Sequence, residues 1–122
     1  MTVQRPTEQV DPQDIPAVAA AILKLIENPG NHCKHKYAVD ASGEDLNWPV
    51  KPESNEVYNQ VCLASAFSLT TGVNVWQDKG CYVSKFSNAV FEEENICYAN
   101  NDLPHDLIVK CLKAAAKISV PA

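Results

Sequence analysis

The chain has 122 residues, of which 46% are hydrophobic and 20% are charged, a size and composition that fit one folded domain and argue against disorder. Its net charge of −5 argues against DNA, RNA or an anionic membrane as the main partner, because those partners need a basic surface. We expect a flexible leader over residues 1–11 and a single globular domain over residues 12–120.

The first predicted helix begins at Asp11 or Asp14, since either side chain can accept hydrogen bonds from the free N–H groups of a first turn. Apolar residues between Ile15 and Ile26 follow helical spacing. The NPGN sequence of residues 28–31 ends the helix, because its proline cannot continue the helix and its glycine accepts a left-handed conformation.

A β-hairpin is predicted next, over residues 35–48. Residues 36–39 alternate between the two faces of a strand, and the DASGED sequence of residues 40–45 supplies turn-forming side chains. Leu46 and Trp48 then begin the returning strand.

The second predicted helix begins at Ser54 or Asn55 and ends at Gly72. Its broad apolar face places Cys62 in mid-helix, away from the N-terminal N–H groups that lower the pKa of a thiol. A third helix is predicted over residues 81–95, from the helical spacing of its apolar residues.

The last part of the chain combines a short β-like stretch, ICYA at residues 96–99, with a final helix over residues 103–117. The NNDLPHD turn of residues 100–106 leads into this helix, with Asp102 as its predicted N-cap and Pro104 in its first turn. The elements together predict an α+β fold, mostly α, with about four helices packed with one small β-hairpin around a single core.

Five cysteines occur in the chain, and no two of them have the CxxC spacing that is typical of zinc ribbons and thioredoxins. An odd number of cysteines without a signal peptide favours reduced thiols. The longest apolar run is interrupted by Pro16 and Lys24 and is too short to span a bilayer. We therefore expect a soluble, cytoplasmic protein that has no membrane contact.

The GNHCKHKY sequence of residues 30–37 contains three candidate zinc ligands, His32, Cys33 and His35. Their spacing does not match the two separated ligand pairs of a structural zinc site, so we expect no metal or other cofactor and keep the zinc site as an alternative. We expect Cys33 to point inward near Cys62, with both histidines nearer to solvent.

Cysteine catalysis is a second alternative for this segment, because a nucleophilic thiol needs a lowered pKa and Cys33 has histidines beside it. His35 and Asp102 would then be its acid–base partners. Asn101, Asp102 and His105 crowd one helix entrance, where capping the helix is the favoured role and the rim of a polar pocket is the other. We expect no catalytic residues and lean towards a protein that is not an enzyme.

Two tryptophans, Trp48 and Trp76, lie in predicted loops or strand ends. Each is expected to cover the core, although aromatic residues beside an acidic surface also suit a protein interface. The candidate binding residues are therefore Trp48, Trp76, Asn101, Asp102 and His105.

Three stretches resemble a family of small uncharacterised proteins from bacteria and their phages. Cys33 and Lys34 followed by YAVDASGEDL resemble its Trp-Cys-Lys-Gly and Ala-x-Asp-Ala-x-Gly motifs, VCLASAF resembles its Cys-x-x-Gly-Ala motif, and CYANNDLPHDLIVKCLKAA resembles its Trp-Asn-Asp motif. The resemblance extends over roughly residues 15–117 and implies no activity. It implies that Cys33, Cys62, Asn101 and Asp102 belong to one shared feature, either a core or a pocket.

Two functions follow from these observations. The first is a small acidic interaction or accessory protein, of the kind that phages and mobile elements encode, which binds a protein partner or a second copy of itself. The alternative is a small-molecule-binding protein or enzyme whose polar pocket gathers Cys33, His35, Asn101 and Asp102. That alternative requires the hairpin entry and the start of the last helix to lie within hydrogen-bonding distance.

Overall fold

The computed structural model describes residues 2, 3, 6, 8–48, 50–53 and 55–117, which form five α-helices and three short strands around one hydrophobic core. The helices are α1 (Ile15–Ile26), α2 (Leu63–Thr71), α3 (Tyr82–Phe91), α4 (Ile96–Asp102) and α5 (His105–Ala116). The strands are β1 (Ala38–Asp40), β2 (Asp45–Leu46) and β3 (Tyr58–Val61). The α+β, mostly α fold is confirmed. Within the described ranges, no helix is both long and apolar enough to cross a bilayer.

Helix α1 begins as its sequence predicts. The Asp14 carboxylate accepts a hydrogen bond from the Ala17 N–H at 3.2 Å, and Pro16 lies in the first turn. The apolar face of the helix packs mainly against α5 and also against α2. This packing places α1 and α5 side by side.

The predicted hairpin is present, and it gains a third strand. Strand β1 pairs antiparallel with β2 on one side and with β3 on the other. The second helix was predicted to begin at Ser54 or Asn55. Asn55 is not helical, so that start is wrong, and Ser54 lies outside the described residues. The apolar residues from Val57 onward have helical spacing, but Val57 is exposed. The next four residues form β3, which pairs with β1 from much earlier in the chain. Trp48 lies beyond the end of β2.

Helix α2 is the centre of the fold, since all nine of its residues are buried. It ends at Gly72, which has a left-handed φ of 77°. Cys62 is the N-cap of this helix rather than a mid-helix residue, and its sulfur accepts a hydrogen bond from the Ser65 N–H at 3.4 Å. The predicted position of Cys62 was therefore wrong, because the helix starts later than its apolar pattern does.

The ICYA stretch is helical, not β-like, because Asn95 caps it. The Asn95 side chain accepts hydrogen bonds from the N–H groups of Cys97 at 2.9 Å and Tyr98 at 3.4 Å, and the helix α4 that begins there runs to Asp102. Asp102 is thus the last residue of α4 and not the N-cap of the final helix. Pro104 occupies that N-cap position, without a side-chain cap hydrogen bond.

Described residues of the predicted leader contact the domain. The N–H of Val3 donates to the Tyr58 carbonyl at 2.8 Å, and the N–H of Val10 donates to the Thr70 carbonyl at 2.8 Å. The side chain of Val3 is buried. The predicted boundary after residue 11 stays a prediction, as does the one at residue 120, which lies outside the described residues.

Candidate functional site

The GNHCKHKY segment meets the α4–α5 junction through one buried amide, that of Asn100. Its Oδ1 accepts a hydrogen bond from the Leu63 N–H at 3.0 Å. Its Nδ2 donates to the Cys33 carbonyl at 3.0 Å and to Oδ1 of Asn101 at 3.1 Å. These two backbone partners fix the orientation of the amide, because reversing it would place donor against donor at Leu63 and acceptor against acceptor at Cys33.

The orientation of Asn100 assigns a proton on His32. Nε2 of His32 lies 2.6 Å from Oδ1 of Asn100, and this oxygen can only accept, so Nε2 carries a hydrogen. Nδ1 of His32 lies 3.0 Å from Nδ1 of His105, whose Nε2 lies 3.1 Å from the Glu27 carbonyl oxygen. The two imidazoles therefore join α1, the hairpin entry and the start of α5.

Burial lowers the pKa of His32, with the nearby charges of His105 and Lys34 acting in the same direction and the hydrogen bond to Asn100 opposing them. His32 was expected nearer to solvent, but only 8% of it is exposed, because Asn100 and His105 hold it inward. The amino group of Lys34 donates to the Leu103 carbonyl and further fastens the segment to the α4–α5 junction.

Because the folded-state pKa of His32 lies below its ordinary value of 6.5, acid should destabilise the protein through this residue. Between these two values the unfolded chain binds a proton that the folded chain excludes, so the free energy of unfolding falls as the pH drops below 6.5, by at most about 1.4 kcal/mol per pH unit. We expect the free-energy difference between the wild type and His32→Gln to shrink from about pH 7.5 to about pH 5.5 in urea denaturation. A difference that stays constant over this range would contradict the assignment of a neutral, buried His32.

His35 and Asn101 come together as the pocket hypothesis requires, since the His35 N–H donates to Oδ1 of Asn101 at 2.8 Å. His35 is exposed and has a left-handed φ of 62°, which this bond helps to hold. Both residues line a cavity of about 290 Å³, here called the polar cavity. Its lining residues are His35, Lys36, Tyr37, Cys62, Cys97, Asn100 and Asn101.

The other two residues of the hypothesis do not line this cavity. Cys33 is buried and, as expected, lies inward beside Cys62; burial raises its pKa, and the proximity of Cys62 adds to the increase. Asp102 is exposed at the end of α4. The four residues that the family resemblance groups together are thus divided between the core, the cavity and the surface.

The thiols near the polar cavity are not activated. Burial raises the pKa of Cys33 to about 12 and that of Cys62 to about 11, and it also raises the pKa of Cys97. A nucleophilic cysteine needs the opposite shift. Although Cys62 lies at a helix N-terminus, its complete burial outweighs the N–H groups that face its sulfur, so all three thiols stay protonated at neutral pH.

The candidate zinc ligands do not converge. Both ring nitrogens of His32 are hydrogen-bonded, Cys33 is buried, and His35 faces solvent. Among the residues that the structure describes, no three His, Cys, Asp or Glu side chains are grouped so that they could hold a metal ion.

A larger cavity of about 400 Å³ adjoins the polar cavity and shares Tyr37 and Cys97 with it. The Tyr37 and Cys97 side chains interact with each other and are common to the two cavities. The lining of this aromatic cavity is Tyr37, Ala64, Val75, Trp76, Val83, Ser84, Glu94, Asn95, Ile96 and Cys97.

Of the candidate binding residues, Trp76 is the one that lines the aromatic cavity, and 69% of it is exposed. Trp48 is also exposed and lines neither cavity, while His105 belongs to the imidazole pair. Neither tryptophan covers the core as expected. Tyr37 and Glu94 were not predicted as site residues, because nothing in their local sequence distinguishes them from a hairpin residue and a helix end.

Comparison with known proteins gives no relative for this chain: no family model, no curated protein and no solved structure matches it. The arrangement of the two cavities is therefore the basis on which a function is proposed.

Proposed function

We propose that this chain is a small, non-enzymatic interaction protein that binds a segment of a protein partner in its aromatic cavity. One observation carries the proposal: Trp76, a large apolar side chain that is 69% exposed, stands at a cavity of about 400 Å³. Tryptophan is enriched among the few residues that supply most of the binding energy at protein interfaces, and it acts best beside a pocket.

The state of the thiols supports binding rather than catalysis, because Cys33, Cys62 and Cys97 all have raised pKa values. All five cysteines are free thiols. Free thiols support our proposal that the protein works in a reducing compartment such as the cytoplasm. A phage or mobile-element origin and the family resemblance remain predictions.

The binding of a small molecule is the second candidate, favoured by the contact between His35 and Asn101 at the polar cavity. Because Tyr37 and Cys97 are common to both cavities, one ligand that extends past them would occupy both. Cavities that bind small ligands have volumes of about 300–1,000 Å³, and the aromatic cavity lies within this range.

A random peptide library displayed on phage and selected on the immobilised protein tests the proposal. We expect enriched peptides that bind Trp76→Ala about 30-fold more weakly than the wild type, which corresponds to the roughly 2 kcal/mol of an interface hot spot. Trp48→Ala is the matched control, since Trp48 is 57% exposed and lines neither cavity, and it should bind these peptides like the wild type.

Two results would count against partner binding at this cavity. One is a selection in which no peptide is enriched over the bare support. The other is a set of enriched peptides whose affinity is the same for the wild type and Trp76→Ala. Circular dichroism of both tryptophan variants verifies that they are folded, and we expect it to be unchanged because both side chains are exposed.

A further inference from the structure

The aromatic cavity is negatively charged. Glu94 is the single charged residue of its lining, and the lining described contains no lysine, arginine or histidine. The other ionisable side chains there are Tyr37 and Cys97, which burial keeps in their neutral forms at physiological pH. The whole chain carries a net charge of −5, so the long-range field has the same sign as the cavity.

Two aromatic rings, Tyr37 and Trp76, lie in the same lining as this carboxylate. The face of an aromatic ring attracts a cation, and tryptophan does so most strongly. A carboxylate adds a charge-assisted hydrogen bond to an ammonium or guanidinium group. An aromatic lining with one carboxylate and no competing cation is therefore complementary to a cationic side chain.

We propose that the aromatic cavity binds the cationic side chain of an arginine or lysine in a partner protein. This inference rests on the proposed function, because it gives the chemistry of the segment that the cavity takes. Trp76 and Tyr37 would contact the apolar stem and the flat face of the cation, and Glu94 would accept its hydrogen bonds.

An anionic group suits this cavity less well than a cation, because Glu94 is the charged residue of the lining and the backbone N–H groups at the start of α4 already have partners. The N–H groups of Cys97 and Tyr98, at the start of α4, both donate to the Asn95 side chain. The Asn95 N–H donates to the Glu93 carboxylate at 3.1 Å. A carboxylate or phosphate entering here would meet Glu94, and the described lining has no lysine, arginine or histidine to receive it.

Two lysines from adjoining parts of the fold, Lys36 and Lys85, do not line the aromatic cavity. Lys36, in the adjoining polar cavity, forms an ion pair with Asp45 at 3.1 Å. Lys85, on α3, lines a separate cavity beside Pro12 and Gln13. Lys36 and Lys85 thus face groups other than Glu94, and Glu94 is the charged residue that the lining offers to a ligand.

Fluorescence titration tests this inference without a known partner. In a Trp48→Phe variant, Trp76 is the remaining tryptophan of the chain, so its emission reports on the cavity alone. The probe is N-acetyl-arginine amide, and N-acetyl-citrulline amide is its uncharged isostere. We expect a saturable change in emission with the arginine probe and at least about tenfold weaker binding of the citrulline probe.

Glu94→Gln and Glu92→Gln, each made in the Trp48→Phe background, separate the cavity carboxylate from overall charge. Both variants remove one negative charge from exposed residues of the same acidic run, but Glu94 lines the cavity and Glu92 does not. We expect Glu94→Gln to weaken the arginine probe about five- to tenfold and Glu92→Gln to leave it within about twofold. Equal binding of both probes, no saturation by either, or equal loss in both variants would overturn the inference.

The peptide selection distinguishes failure of this inference from failure of the proposed function. If the Trp76-dependent peptides lack arginine and lysine and bind Glu94→Gln like the wild type, partner binding is supported and the preference for a cationic side chain is contradicted. If the arginine probe binds but no peptide is enriched, the site takes a free cation and partner binding falls. Enriched peptides that contain arginine or lysine and lose affinity in Glu94→Gln support both.

Discussion

Replacing Asn100 by alanine is expected to lower the free energy of unfolding by about 3–5 kcal/mol, because three buried groups lose their partner at once. These groups are the Leu63 N–H, the Cys33 carbonyl and the Nε2–H of His32. Each polar group left unsatisfied in a buried site costs about 1–3 kcal/mol. Urea denaturation of the variant and the wild type at neutral pH measures the difference in their free energies of unfolding. Equal m-values show that the two proteins expose similar surface on unfolding, so that the two free energies can be compared.

Asn88→Ala is the matched control for this substitution. Asn88 is an exposed residue of α3, and alanine is the better helix former, so its replacement should change the free energy of unfolding by less than about 0.5 kcal/mol. A loss below about 1 kcal/mol for Asn100→Ala would show that water or a shift of α4 replaces the amide. The position of the segment that contains His32 and Cys33 would then not depend on the Asn100 amide.

Replacing Phe67 by alanine is expected to cost a similar amount, about 3–5 kcal/mol, through lost packing rather than lost hydrogen bonds. Phe67 is fully buried in α2, and its ring centroid lies 5.5 Å from that of Phe86, which in turn lies 6.3 Å from that of Phe91. Since α2 is covered along its whole length, the surroundings cannot collapse easily into the space that the ring leaves.

Phe67→Leu separates volume from aromatic contact at this position. Leucine keeps much of the volume of the ring, so we expect Phe67→Leu to lower the free energy of unfolding by less than about 1.5 kcal/mol. It should therefore be clearly more stable than Phe67→Ala. The same urea experiment gives both values. If leucine costs as much as alanine, the tilted ring contact between Phe67 and Phe86 determines the stability here, and the argument from lost volume is wrong.

The parts of the fold that local chemistry determines were predictable from the sequence. Helix α1 follows from the Asp14 cap and the periodic apolar residues after it, and the hairpin turn follows from Asp40, whose side chain accepts hydrogen bonds from Ser42 and Glu44. Strand β3 was not predictable in this way. Its pairing with β1 depends on residues roughly twenty positions away, while its own apolar residues also suit a helix.

The candidate site was predictable only in part, for the same reason. The inward position of Cys33 beside Cys62 was anticipated and is confirmed. The burial of His32 was not, because its partners Asn100 and His105 lie 68 and 73 residues further along the chain. No local signal marks a histidine whose side-chain hydrogen bonds both come from a distant helix junction.

The packing of α1 against α5 has a consequence for how the chain folds during synthesis. The helix that covers the apolar face of α1 is translated long after it, as the contact between Glu27 and His105, 78 residues apart, shows. Until then the part of α1 that packs against α5 in the finished fold faces solvent or a chaperone on the nascent chain. Because so many stabilising contacts join distant segments, loop closure should limit the folding rate more than helix formation does.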